Sequence, residues 1–136
     1  FLVNPSESIA PAPQSDSFYI TASKSQQADL LASYTAIASL AVDRKISFVI
    51  IPSALDIEYY VGSKHPRTYY SQSWFMGLQE IASKSGGVLL DLLDHVPNRW
   101  STLFHECDGH WSIDGNLWAA NIISSSIFGT GVNANQ

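Results

Sequence analysis

Ile46-Ser47-Phe48-Val49-Ile50-Ile51-Pro52 is the stretch on which the fold turns. It is short, rich in β-branched residues, nearly continuous in apolar character and stopped by proline. That is the pattern of a strand buried on both faces of a parallel sheet. Val88 to Leu93 is a second run of the same kind. Between the two, the stretch from Tyr69 to Lys84 places Trp74, Leu78 and Ile81 on one helical face, and Gly86-Gly87 ends that helix through a left-handed C-cap. Upstream, Ser23 or Ser25 caps a helix over residues 26–41, in which Leu30, Tyr34, Ile37, Ala38 and Ala41 recur at helical spacing. Downstream, a loop with a helical turn spans 94–109. Ser112 then caps a last helix with Ile113, Leu117, Ala120 and Ile127 as its expected buried stripe.

The order helix, strand, helix, strand, helix predicts an α/β fold with a parallel sheet covered by helices. Phe18-Tyr19-Ile20 is read as a short strand or an anchoring contact. Residues 1–17, with Pro5, Pro11 and Pro13, read as a loop or linker, and 129–136 as a Gly- and Asn-rich flexible tail. So few strands make a thin sheet. The expectation is therefore a domain incomplete at its N-terminus that self-associates to cover strand surface and the faces of Trp74 and Leu78.

Composition narrows the function. A formal net charge of −5 over 136 residues argues against a nucleic-acid or anionic-membrane surface. No apolar run approaches the roughly 20 residues of a membrane helix. Cys107 is the single cysteine, which excludes an intrachain disulfide and a multi-cysteine zinc site.

The chemistry concentrates in Phe104-His105-Glu106-Cys107-Asp108-Gly109-His110-Trp111, just before the last helix. In an extended loop, residues two apart point the same way. Asp108 can then accept a hydrogen bond from His110 Nδ1–H, fixing the tautomer that leaves Nε2 free to take a proton. The bland reading is a turn Asp and a half-exposed His. A metal site built from His105, Glu106, Asp108 and His110 is the rival chemistry, although His105 and His110 lack the one-face spacing of a zinc-protease helix. Cys107 beside a histidine could form a nucleophile pair, but cysteine is more often a small buried hydrophobe. His65 and His95 read as loop residues, and Trp100, Trp111 and Trp118 as core or pocket wall. Asp91 and Asp94 follow the second strand, where ligands gather in open α/β sheets and where solvated turn residues are equally common.

Asp108-Gly109-His110-Trp111, followed by Ser112-Ile113-Asp114-Gly115-Asn116 and the helix Leu117-Trp118-Ala119-Ala120-Asn121-Ile122-Ile123, resembles the last block of SGNH/GDSL hydrolases. The upstream layout of helices leading to Phe48–Ser53 and to Val88–Leu92 is similar too, so the resemblance covers residues 18–128. The spacing here is Asp-x-His, where the commonest family spacing is Asp-x-x-His. The family's Gly-Asp-Ser block is absent from the chain. Asn4 reads either as a remnant of the family's oxyanion-donating Asn or as a plain N-terminal stub.

The resemblance implies a three-layer flavodoxin-like sandwich, of which 18–128 is the C-terminal part. It implies hydrolysis or transfer of a small-molecule or carbohydrate acyl ester. His110 would be general base and then acid, Asp108 its orienter, and the serine would lie outside this chain. No metal or organic cofactor is implied. The alternatives are a non-catalytic α/β binding or assembly module and a metal-binding loop domain.

Overall fold

A computed structural model of the protein describes residues 18–105 and 109–129. Asn4, the 1–17 loop, Glu106, Cys107, Asp108 and the tail beyond Gly129 lie outside the described residues.

The expected alternation is present. Helix α1 (Phe18–Thr21) leads into α2 (Lys24–Leu40), strand β1 (Phe48–Ile50), the single turn α3 (Ala54–Ile57), helix α4 (Ser73–Lys84), strand β2 (Leu89–Asp91) and helix α5 (Ile113–Phe128). β1 and β2 pair in parallel, with Phe48 opposite Leu89, Val49 opposite Leu90 and Ile50 opposite Asp91. Among the described residues the sheet has these two short strands, not the broader flavodoxin-like sheet of the resemblance.

Local chemistry explains the boundaries. Ser23 begins α2 with a reciprocal capping box: its Oγ accepts from Gln26 N–H and its own N–H donates to Gln26 Oε1. The α4 segment is interrupted where a continuous helix over 69–84 was expected. A 3₁₀ turn covers Thr68–Ser71, Gln72 is extended, and only then does α4 start. The break lets Tyr69 turn wholly into the core, while Gln72 Oε1 accepts hydrogen bonds from Trp74 Nε1 and Gln27 Nε2. α4 ends as its glycines predict, with Gly86 at φ +74° and Gly87 N–H bonded to Ala82 O.

Side chains alternate across the strand pair. Phe48, Ile50 and Leu89 pack into the larger core with Leu30, Leu31 and Tyr34 of α2 and Trp74 and Leu78 of α4. Val49 and Leu90 join Trp118, Ala119, Ile122 and Ile123 of α5. Each face of the pair is thus backed by helix. The large core is unusually aromatic: Tyr19, Tyr60, Tyr69, Trp74 and Phe75 meet mostly edge to face.

Three further expectations are corrected. Phe18–Thr21 is a helical turn, not a strand, though Tyr19 anchors it in the core. Neither strand is buried throughout: all three residues of β1 are half-buried, and Ile51 is 61% exposed just past its end. Trp74 and Leu78, expected to leave surface open, are buried.

The largest difference is in α5. Ile113 is 76% and Leu117 58% exposed, and Ala120 also faces out, while Ile127 of the expected stripe is half-buried. The sheet instead takes the opposite stripe of Gly115, Trp118, Ala119, Ile122 and Ile123. Gly115 explains the phase. A Cβ on it would stand 2.1 Å from Leu103 O, so only glycine lets the first turn of α5 rest on that carbonyl. The period of the apolar pattern was right and the face was wrong, because both faces are apolar.

Gly115→Ala should therefore destabilise the fold by about 1–3 kcal/mol through forced displacement, although Ala favours a helix interior by roughly 1 kcal/mol. Urea unfolding measures it. An unchanged midpoint would mean that α5 slides off Leu103 without cost.

Candidate active site

Both strands run toward one edge, and the chain that leaves them there builds the site. After β1, Pro52 is buried and Ser53 caps α3, its N–H and Oγ both donating to Asp56 Oδ2 at 2.7 Å. A π-helical turn over Glu58–Gly62 follows, turning Tyr60 inward and leaving Tyr59 partly exposed, stacked on His65 at 4.4 Å. Gly62 then meets the indole of Trp100, to which a Cβ at Gly62 would lie 3.7 Å away. This contact joins the loop after β1 to the loop after β2.

From β2 the chain makes 3₁₀ turns at Leu92–His95 and Trp100–Leu103 and enters a short antiparallel hairpin. Phe104 and Trp111 form its bridge. His105 N–H donates to His110 O at 2.8 Å, and Ser112 N–H donates to Leu103 O at 2.8 Å. The two exposed histidines are therefore cross-strand neighbours at the end of the paired segment. Gly109 sits at φ +69°, a backbone conformation that L side chains rarely adopt. Below the histidines, Trp111 packs against Phe104 and Trp118, and Trp118 Nε1 donates to His95 O. Trp100, Trp111 and Trp118 are half-buried and pack against the core, the first of the two roles expected for them. Ser112 closes the unit as N-cap of α5, accepting from Gly115 N–H and donating to Thr102 O.

His110 thus stands on a frame fixed by main-chain bonds. Its proposed orienter, Asp108, lies outside the described residues, as do Glu106 and Cys107. Among the described residues no group of three or more His, Cys, Asp or Glu stands close enough to hold a metal ion. A cleft of about 950 Å³ between Leu31 and Ala38 of α2 and Ile81 of α4 also takes in Ile46 and Ser85. It sits where the strands begin, at the edge opposite the histidines.

Beneath the site is a polar nest that the sequence did not reveal. Asp91 is buried, not a solvated turn residue. Tyr69 Oη donates to its Oδ2 at 2.5 Å and Leu93 N–H to its Oδ1 at 3.0 Å. Burial raises the Asp91 carboxyl above its ordinary range, and these two hydrogen bonds pull the other way. Burial, then the nearby Asp91 and Asp56, push the Tyr19 phenol far up, and Tyr19 Oη is buried without a hydrogen-bond partner. Asp94, the other residue flagged after β2, is half-exposed. It is ion-paired to Arg67 and accepts from Tyr70 Oη, while Arg67 also donates to Leu93 O. That clamp ties the loop after β1 to the segment after β2.

The raised carboxyl has a pH signature. The fold favours the neutral form of Asp91, so its contribution to stability is fully present below the unfolded-state pKa of about 4 and is lost as pH rises through the folded-state value. Asp91→Asn removes this titration. Its carbonyl can accept from Leu93 N–H while its amide donates to Tyr69 Oη. Urea midpoints measured across acidic to neutral pH should show that component in the parent and not in the variant. Parallel profiles would show that Asp91 is ionised in the fold at no cost.

Comparison of the chain with protein-family models, with curated proteins and with solved structures finds no match in any of the three.

Proposed function

We propose that residues 18–128 are the histidine-bearing part of an SGNH-type domain that hydrolyses or transfers an acyl ester. The observation that carries this reading is the setting of the Asp-Gly-His-Trp block. Its described part, Gly109-His110-Trp111, belongs to a strand pairing with Phe104 and His105 beyond the C-terminal end of β2 and runs directly into the Ser112-capped helix. Ligands of open α/β sheets gather at that edge. A flavodoxin-like three-layer sandwich is the complete form that this reading implies.

In the proposed reaction a serine from outside this chain attacks the ester carbonyl. His110 Nε2 takes the hydroxyl proton and returns it to the leaving alcohol. Asp108 holds the imidazole through Nδ1–H and stabilises the imidazolium. The acyl group then passes to water or to an acceptor hydroxyl, with His110 activating that second nucleophile. The exposed Tyr59–His65 stack offers a flat surface for a sugar ring, which suits a carbohydrate ester as substrate.

A binding or assembly module of the same fold is the second reading. The absence of a Gly-Asp-Ser segment among the 136 residues favours it.

Hydrolysis of p-nitrophenyl acetate separates the two. The 136-residue chain should match its His110→Ala variant, both near background. The full gene product should turn over the ester, and His110→Ala or Asp108→Asn should lower kcat by about a thousandfold or more. Equal rates in the parent and His110→Ala gene products, or no turnover in either, would leave the binding module as the function.

A further inference from the structure

The hairpin before α5 sets two of the chain's four histidines across from each other. Its pairing pattern says which way they face. Phe104 and Trp111 stand directly opposite one another. The bonds that frame them, His105 N–H to His110 O and Ser112 N–H to Leu103 O, lie one residue to either side. Phe104 and Trp111 are therefore a non-hydrogen-bonded antiparallel pair, with side chains on one face. They meet on the inner face, where their rings are 5.8 Å apart and Phe104 is buried. Successive residues of a strand point to opposite faces. His105 and His110, the next pair along, are thus turned outward together, and both are exposed.

Directly opposite residues on one face have Cβ atoms roughly 5 Å apart. Two imidazoles rooted at that separation, both facing solvent, can turn about their own side-chain bonds and each bring a nitrogen to within about 2 Å of one shared ion. The main-chain bonds already hold the two roots together, so binding does not have to order them. The other two histidines lack this arrangement. His65 is stacked on Tyr59, and His95 ends the 3₁₀ turn after β2. Imidazole nitrogen suits Zn2+, Cu2+ and Ni2+, whereas Mg2+ and Ca2+ take oxygen. Water from the open side completes the coordination sphere, and a chain of net −5 attracts a dication.

We propose that His105 and His110 form a two-imidazole chelate for a divalent cation of the zinc class. The pair supplies half the protein ligands of a structural zinc site, so it holds zinc with a dissociation constant of roughly 10–100 µM. The ion is exchangeable and is not part of the fold. On the hydrolase reading, a cation held here competes with ester turnover for His110. The chelate itself does not depend on that reading.

Calorimetric titration of the 136-residue chain with zinc chloride tests it without any turnover. The parent should take up one ion per chain. Removing a ligand costs at least as much as removing its outer-shell partner, so His105→Ala and His110→Ala should each weaken binding by about tenfold or more. His65→Ala and Cys107→Ser should leave it unchanged. No uptake by the parent, full-strength binding in either His105→Ala or His110→Ala, or binding lost in His65→Ala or Cys107→Ser would overturn the proposal. Should a variant unfold, nuclear magnetic resonance of the parent decides. Zinc should shift the ring resonances of His105 and His110 together; no shift at one of them, or equal shifts at His65 or His95, would count against the chelate.

Discussion

The carbonyl of Leu103 is the point on which the chemical end of the molecule is hung. It accepts the Ser112 N–H that closes the hairpin, and the first turn of α5 rests on it at Gly115. The hairpin and the helix are thus referred to one atom, itself held in the core by the buried Leu103 and Phe104. The orientation of α5 follows, and with it the choice of which apolar face meets Leu90 and Leu92. A larger side chain at 115 would lift the helix and change its rotation together.

On the other face of the strand pair, stability comes from rings as well as aliphatic groups. Tyr19, Tyr60 and Tyr69 bring hydroxyls into the interior. Tyr60 reaches Tyr19 O and Tyr69 reaches Asp91. A buried hydroxyl without a partner is costly, and Tyr19 Oη is in that position. The polar atoms of this core lie below the edge where the loops after β1 and β2 converge. The Arg67–Asp94 clamp and the Gly62–Trp100 contact bind those loops to each other. The edge that bears the histidines is therefore braced from beneath.

What the sequence made legible and what it did not divide along a physical line. Local signals were readable because they act within a few residues: the Ser23 and Ser112 caps, the Gly86 terminator and the short apolar runs at Phe48 and Leu89. The break at Gln72, the burial of Asp91 and the phase of α5 were not, because each is decided by a residue distant in the chain. Asp91 is partnered by Tyr69, 22 positions earlier, and α5 is set by Leu103. Hydrophobic periodicity gives the spacing of a helix face. It does not choose between two apolar faces. For the site, the hairpin makes His110 the cross-strand neighbour of His105. The pairing of His110 with Asp108 rests on their two-residue spacing.

The hairpin separates holding from doing. The hydrogen bonds that define it are made by the main chain of residues 103–105 and 110–112. Main-chain bonds are indifferent to the side chains attached to the same residues. Such a frame is permissive: substitutions at 105 and 110 alter what the edge presents to solvent while the register beneath stays the same. A lineage could exchange one reactive group for another here in single steps, each intermediate still folded. An engineer could likewise use the same two positions to graft a different pair of side chains onto an existing scaffold.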